Sequence, residues 1–200
     1  MKCSKFKLLL LLAMTLAGSA QAQNIVQNGS FASGSLLDWT RSQSSNYPWT
    51  VRNDFRGVQP PVGNYSAVTG CEGAQCLQYG GNHANDLFQV LGTTNGTKYS
   101  LSFYLADFGG APSALDVYWG GHEVLALSPL STASGYFEYT VSGLTATSST
   151  TKLEFLGEQK PGYLALTDIS VTAVPEPPAY AFMFAGLCGI GLITRRRRIR

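Results

Sequence analysis

The apolar positions of this chain fall mostly in short runs with a period of two. From Lys98 to Leu105, Tyr99, Leu101, Phe103 and Leu105 alternate with more polar neighbours. Such a segment buries one face and wets the other, as a strand in a half-buried sheet does. Leu115, Val117 and Trp119 repeat the pattern, then Phe137, Tyr139 and Val141, then Leu153 and Phe155, then Ile169 and Val171. Gly120-Gly121 separates the Trp119 run from Glu123–Leu127, a spacing that predicts a two-residue hairpin turn. Thr94-Asn95-Gly96-Thr97 supplies a turn ahead of the strongest strand. Shorter candidates are Ile25-Val26, Trp49–Val51, Ser66–Val68, Cys76–Tyr79 and Leu87–Leu91. Ser128–Gly135 and Thr145–Thr151 read as loops. Between Gln23 and Thr172 no 12-residue stretch carries a helical period. About ten short strands at this spacing predict an all-β, antiparallel sandwich or jelly roll over residues 23–172.

Two apolar stretches break the alternation, and both lie at the ends. Leu8–Leu16 follows Lys2, Lys5 and Lys7 and precedes Ala20-Gln21-Ala22. That order of basic, apolar and small residues reads as a signal peptide over residues 1–22, addressed to the Sec machinery and cut by signal peptidase. The other stretch, Ala179–Thr194, has 16 uncharged residues and is followed by Arg195, Arg196, Arg197 and Arg198. As a helix it would measure roughly 24 Å, short against a hydrocarbon core of about 30 Å. Local bilayer thinning and arginine snorkelling make such a transmembrane helix workable. The arginine cluster, residues 195–200, marks the cytoplasmic side, so residues 23–172 belong on the other side. A proline-rich linker, residues 173–178, joins the two parts.

Pro175-Glu176-Pro177, the Gly-rich apolar segment (Gly186, Gly189, Gly191) and the arginine cluster together resemble the PEP-CTERM sorting signal of Gram-negative bacteria. The resemblance covers 27 residues, Val174–Arg200, with its three parts in order. It implies recognition and processing by exosortase. The precursor would be anchored in the inner membrane facing the periplasm. The processed protein would pass to the cell surface or extracellular matrix, often in biofilm-forming species.

The ends also distort the charge. The whole chain carries a formal +2, yet residues 23–172 hold six basic and eleven acidic residues, a net of −5. The domain is therefore acidic, and a basic nucleic-acid footprint is absent. Its cysteines are Cys71 and Cys76, with four residues between them. In an oxidising compartment they are candidates for a structural disulfide; the spacing is wrong for a redox C-x-x-C motif.

Three further segments carry a second resemblance. Asn24–Phe31 with Asp38-Trp39-Thr40, then Gly96–Phe103, then Leu166–Val171 are similar to the opening, central and closing strands of galactose-binding-like jelly-roll modules. The resemblance implies a jelly-roll fold, frequent carbohydrate binding and, in many members, a structural Ca²⁺ between first and last strands. Asp168 matches the closing-strand acid, but Ala32 stands where an acid often follows the opening phenylalanine. Ca²⁺ takes six to eight oxygens, so that departure weakens the match.

Sugar binding needs exposed aromatic faces and a few polar groups. Trp39 and Trp119 sit in patterns that point inward. Trp49, with Tyr47 beside it, is the expected platform, and Asn82, His83 and Asp86 form a polar loop able to line a site. Catalytic signatures are weak. No nucleophile-elbow serine or H-E-x-x-H motif occurs, and Glu138 and Glu154 are isolated in sequence. The pattern points to a non-catalytic exported surface or matrix protein, binding exopolysaccharide or another carbohydrate. The alternatives are a secreted carbohydrate-active enzyme on the same fold, marked by two facing carboxylates, and a purely structural matrix protein.

Overall fold

A computed structural model describes residues 23–41, 47–72, 84–130, 135–159 and 161–175. Ala22–Val174 form one compact unit. The strands are β1 (Thr40–Arg41), β2 (Thr50–Asn53), β3 (Tyr65–Cys71), β4 (Asn85–Gly92), β5 (Lys98–Asp107), β6 (Ser113–Trp119), β7 (His122–Leu127), β8 (Phe137–Thr145), β9 (Thr150–Gln159) and β10 (Gly162–Ala173). One 3-10 turn, Phe55–Gly57, is the helical element among the described residues. Sheet I runs β1-β4-β9-β6-β7 and sheet II runs β2-β3-β10-β5-β8, antiparallel throughout. The fold is thus a two-sheet, jelly-roll-like sandwich, as the alternation predicts.

The core lies where the alternating positions of both sheets meet. Leu101, Phe103 and Leu105 on β5, Leu164 and Leu166 on β10, and Leu115, Val117, Leu153 and Phe155 on sheet I are all fully or almost fully buried. Phe103 and Phe155 meet edge-on across the core at 5.3 Å, a geometry favoured by ring quadrupoles. Trp39 and Trp119 point inward as expected, and each indole N–H finds a carbonyl, Asn28 at 3.2 Å and Thr145 at 3.0 Å.

The Gly120-Gly121 hairpin is present, with Trp119 opposite His122. Both glycines have positive φ, 59° and 83°, which a type I′ turn requires and which a side chain resists. The expected strand at Ile25-Val26 is reduced to one bridge, Asn24 to Thr172. It still joins the opening segment to the closing strand: the Ile25 N–H reaches the Val171 carbonyl at 2.9 Å, and the Ile169 N–H the Gly29 carbonyl at 3.1 Å. Buried Gln89 then staples the same segment, accepting from the Gln27 N–H and donating to the Gln27 and Asp38 carbonyls. Thr40–Arg41, too short and polar to show a period, pairs with Leu87-Phe88 as β1. The candidate Cys76–Tyr79 lies outside the described residues, as do the signal peptide and the apolar tail.

Candidate functional site

The outer face of sheet II is not uniformly wetted. Val68, Ala106 and Ala165 form a second, smaller apolar cluster there, with Phe55, Phe108, Tyr136 and Tyr163 packed on it. The 3-10 turn places Phe55 over this face. Its backbone is unusual: Asp54 (φ 40°) and Arg56 (φ 56°) are both left-handed non-glycine residues, which carries a steric cost. Backbone bonds hold the turn, from the Asp54 N–H to Asn64, Gly57 to Asp54 and Val58 to Phe55.

A cavity of about 380 Å³ opens beside the turn. Its walls include Tyr47, Arg52, Phe55, Arg56, Glu72 and Tyr163. Phe55 contacts Tyr163 edge-on at 5.2 Å and Phe108 at 5.5 Å. The Arg56 guanidinium lies 5.3 Å from the Tyr163 ring centre and 5.9 Å from that of Phe55, and pairs with Glu72. This volume suits one or two small rings. The lining supplies partly exposed aromatic faces, guanidinium donors and a carboxylate acceptor.

The structure redistributes the expected site residues. Tyr47 does line the cavity, and its carbonyl accepts from the Thr69 hydroxyl at 2.7 Å. Trp49 does not: it is fully buried, the reverse of an exposed platform. Its indole N–H donates to the Asn85 carbonyl at 2.7 Å, and Asn85 in turn donates to the Thr69 hydroxyl at 2.8 Å. Gly157 leaves room for the ring, since a β-carbon there would lie 2.6 Å from it. The polar chain Trp49, Asn85, Thr69, Tyr47 therefore anchors the segment that carries Tyr47. Asp86 is a β4 strand residue paired with Leu156 on sheet I, so it does not join the cavity on sheet II. Asn82 and His83 lie outside the described residues.

Asp168 sits at a bulge of β10, with φ 52°, and its Oδ2 accepts from the Val62 N–H at 3.0 Å. Burial raises its pKa, and that hydrogen bond opposes the shift. No group of three or more His, Cys, Asp or Glu side chains gathers around a metal position among the described residues. Calcium takes six to eight oxygens, backbone carbonyls among them, and Asp168 supplies one carboxylate. Cys71 is disulfide-bonded; Cys76 lies outside the described residues. Of the sorting motif Pro175 is described and exposed, whereas Glu176, Pro177 and Arg195–Arg198 fall outside.

Sequence reading missed Phe55, Arg56 and Tyr163. Phe55 and Arg56 lie in a segment without a period, and Tyr163 is the second residue of the last strand, directly after Pro161-Gly162. The only signal was an aromatic and an arginine side by side between polar residues. A second grouping also escaped it. On the outer face of sheet I, Tyr118 is in register with both Glu123 and Glu154, and its hydroxyl meets Glu123 at 3.4 Å. Burial, then the Glu123 charge, raises the pKa of neighbouring Asp116. Glu154 is tied to Lys152 at 2.7 Å.

No family model and no curated protein matches the chain. Solved structures do. The carbohydrate-binding module TmCBM61, in complex with β-1,4-galactotriose, superposes with a TM-score of 0.60 at 15% identity, over 76% of this chain and 99% of that one. The xylan-binding CBM22-1 domain of Paenibacillus barcinonensis Xyn10C gives 0.53 at 14%, over 80% and 100%. A Stig cyclase from Fischerella sp. TAU gives 0.58 at 14%, over 78% and 100%. At such identities the likeness is one of fold, and the fold hosts both binding and catalysis.

Proposed function

We propose that this protein is an exported, exosortase-sorted surface or matrix protein that binds carbohydrate without catalysis. The observation that carries the binding reading is the cavity on sheet II, where Tyr163 and Phe55 offer ring faces beside Arg52, Arg56 and Glu72. Sugar rings stack their C–H faces on aromatic rings, and guanidinium and carboxylate groups hydrogen-bond their hydroxyls. The solved carbohydrate-binding modules of the same fold support this reading. The sorting reading rests on the Pro175-Glu176-Pro177 tail and its arginine cluster. Its consequence is a protein that works outside the cytoplasm, where polysaccharide is the abundant polymer.

A glycan-array screen of the full chain in detergent tests the binding. The expected result is retention on at least one glycan class and loss of it in Tyr163→Ala. Absence of binding to every glycan would sink the proposal. A second reading, hydrolysis, is favoured by one observation: Asp116, Glu123 and Glu154 gather around Tyr118 on sheet I. Release of reducing ends from a bound glycan, abolished in Glu123→Gln, would establish it instead.

A further inference from the structure

Arg52 is the unanswered charge of the sheet II cavity. It stands on the outer face of β2, opposite Ser66, and it is exposed. Its side chain makes no hydrogen bond or ion pair among the described residues, whose ion pairs are Arg56 with Glu72 and Lys152 with Glu154. The setting makes this placement informative. Residues 23–172 carry eleven acidic against six basic residues, and two of the six line this one cavity. The neighbouring Arg56–Glu72 pair is itself exposed, 37% and 57% for the two side chains. Exposed pairs are weak, so a ligand anion of better geometry can displace Glu72. A neutral sugar offers that guanidinium hydroxyl acceptors but no charge to answer its own. A planar carboxylate matches its fork with two parallel hydrogen bonds.

We infer, resting on the carbohydrate-binding reading above, that the cavity is selective for an acidic polysaccharide. A uronate ring lies against Tyr163 and Phe55, and its carboxylate meets Arg52. Arg56 has a dual part: it lies near both ring faces and answers a second charge when Glu72 is displaced. Net negative charge on the rest of the domain sets a limit. Long-range attraction of a polyanion is weak, so selectivity arises at contact distance and survives only where the fork engages.

The test compares two probes of equal length on the full chain in detergent: an oligogalacturonate and its carboxyl-reduced, neutral counterpart. Isothermal titration at low salt is expected to give the uronate about a tenfold advantage, the scale of one charge-assisted hydrogen bond. The advantage shrinks in high salt. Arg52→Gln removes most of it and affects the neutral probe far less, Arg52→Lys retains part of it, and Tyr163→Ala loses both probes. Circular dichroism of each variant confirms the sandwich. Equal affinity for the two probes overturns the inference and leaves carbohydrate binding standing. Binding of neither overturns both. In a third titration with a sulfated galactan, preference for that probe over the uronate overturns the carboxylate assignment.

Discussion

Trp49 and Tyr163 are both aromatic and near each other in the fold, but they face opposite ways, and substitution separates their roles. Trp49→Ala opens a large cavity in the core and removes the indole hydrogen bond to the Asn85 carbonyl. We expect a loss of about 3–5 kcal/mol in chemical denaturation; a loss under about 1 kcal/mol contradicts the packing described. Tyr163→Ala removes a half-buried ring from the outer face, so ligand binding falls while the denaturation midpoint moves little. Asp107 offers a test of charge. It is 5% exposed; one carboxylate oxygen accepts from the Gly109 N–H and the other has no partner. Burial raises its pKa, against smaller opposing hydrogen bonds. A raised carboxyl pKa means the folded state binds the proton more tightly than the unfolded one. That contribution is present below the ordinary carboxylate range, near pH 4, and is lost as pH rises through the raised value. Asp107→Asn should therefore stabilise the protein at pH 7 by about 1–2 kcal/mol, and the gain should fade near pH 3. Thermal unfolding at both pH values checks it; equal gain at both would tie the effect to packing rather than ionisation.

Among the strands, β9 shows how packing across the sheets depends on one missing side chain. Gly157 faces the Trp49 ring, and a β-carbon there would sit 2.6 Å from it and 3.2 Å from Thr69. The ring is enclosed and held by its hydrogen bond, so it has no room to retreat. Gly157→Ala is expected to cost roughly 1–3 kcal/mol as an overpacking change, read from the urea midpoint; a neutral result would mean the ring can shift. The same pair explains what sequence could and could not tell. The period of two exposed β5 and β6 directly, because each buries one face and leaves most of the other partly wetted; on β8 it marked the strand but not its burial, Phe137 being 45% exposed, and on β10 residues 164–167 are buried on both faces. It failed for Trp49, since three residues at a strand's start carry no reliable phase, and the partner that buries the ring is a glycine 108 positions away. It failed for Phe55 and Tyr163 for a related reason. The outer face of sheet II has its own small apolar cluster, so residues there break the inside–outside rule, and the turn bearing Phe55 is built from left-handed residues with no pattern to read. Tyr47 was placed at the site by its neighbourhood to Trp49, and it arrives there through the backbone that Trp49 anchors.

At the scale of the whole molecule, the acidic sandwich and the cationic tail are opposites: −5 over residues 23–172 and five arginines in the last six positions. A 16-residue apolar run is short for a span, so on the sorting reading proposed above the precursor's hold on the membrane would depend on those arginines reaching the headgroups. Cutting the tail would remove the apolar run and five of the chain's fourteen basic residues at once, and leave an acidic sandwich with a disulfide-bonded Cys71 and a cavity open to solvent. On the sorting reading proposed above, such a product would leave the bilayer and meet polysaccharide, whereas a permanent anchor would keep it there. Processing at the Pro175-Glu176-Pro177 motif is thus expected to be a condition of function, and intact-mass spectrometry tests it. In cells with a working exosortase the recovered protein should lack the mass of the apolar run and arginine cluster. In exosortase-deficient cells it should extend to Arg200 and stay with the membrane fraction. Replacing Arg195–Arg198 by glutamine should also leave the tail uncut, because the cytoplasmic stop that orients the motif is gone. A chain ending at Arg200 in exosortase-positive cells would refute the sorting reading and leave the sandwich and its cavity untouched.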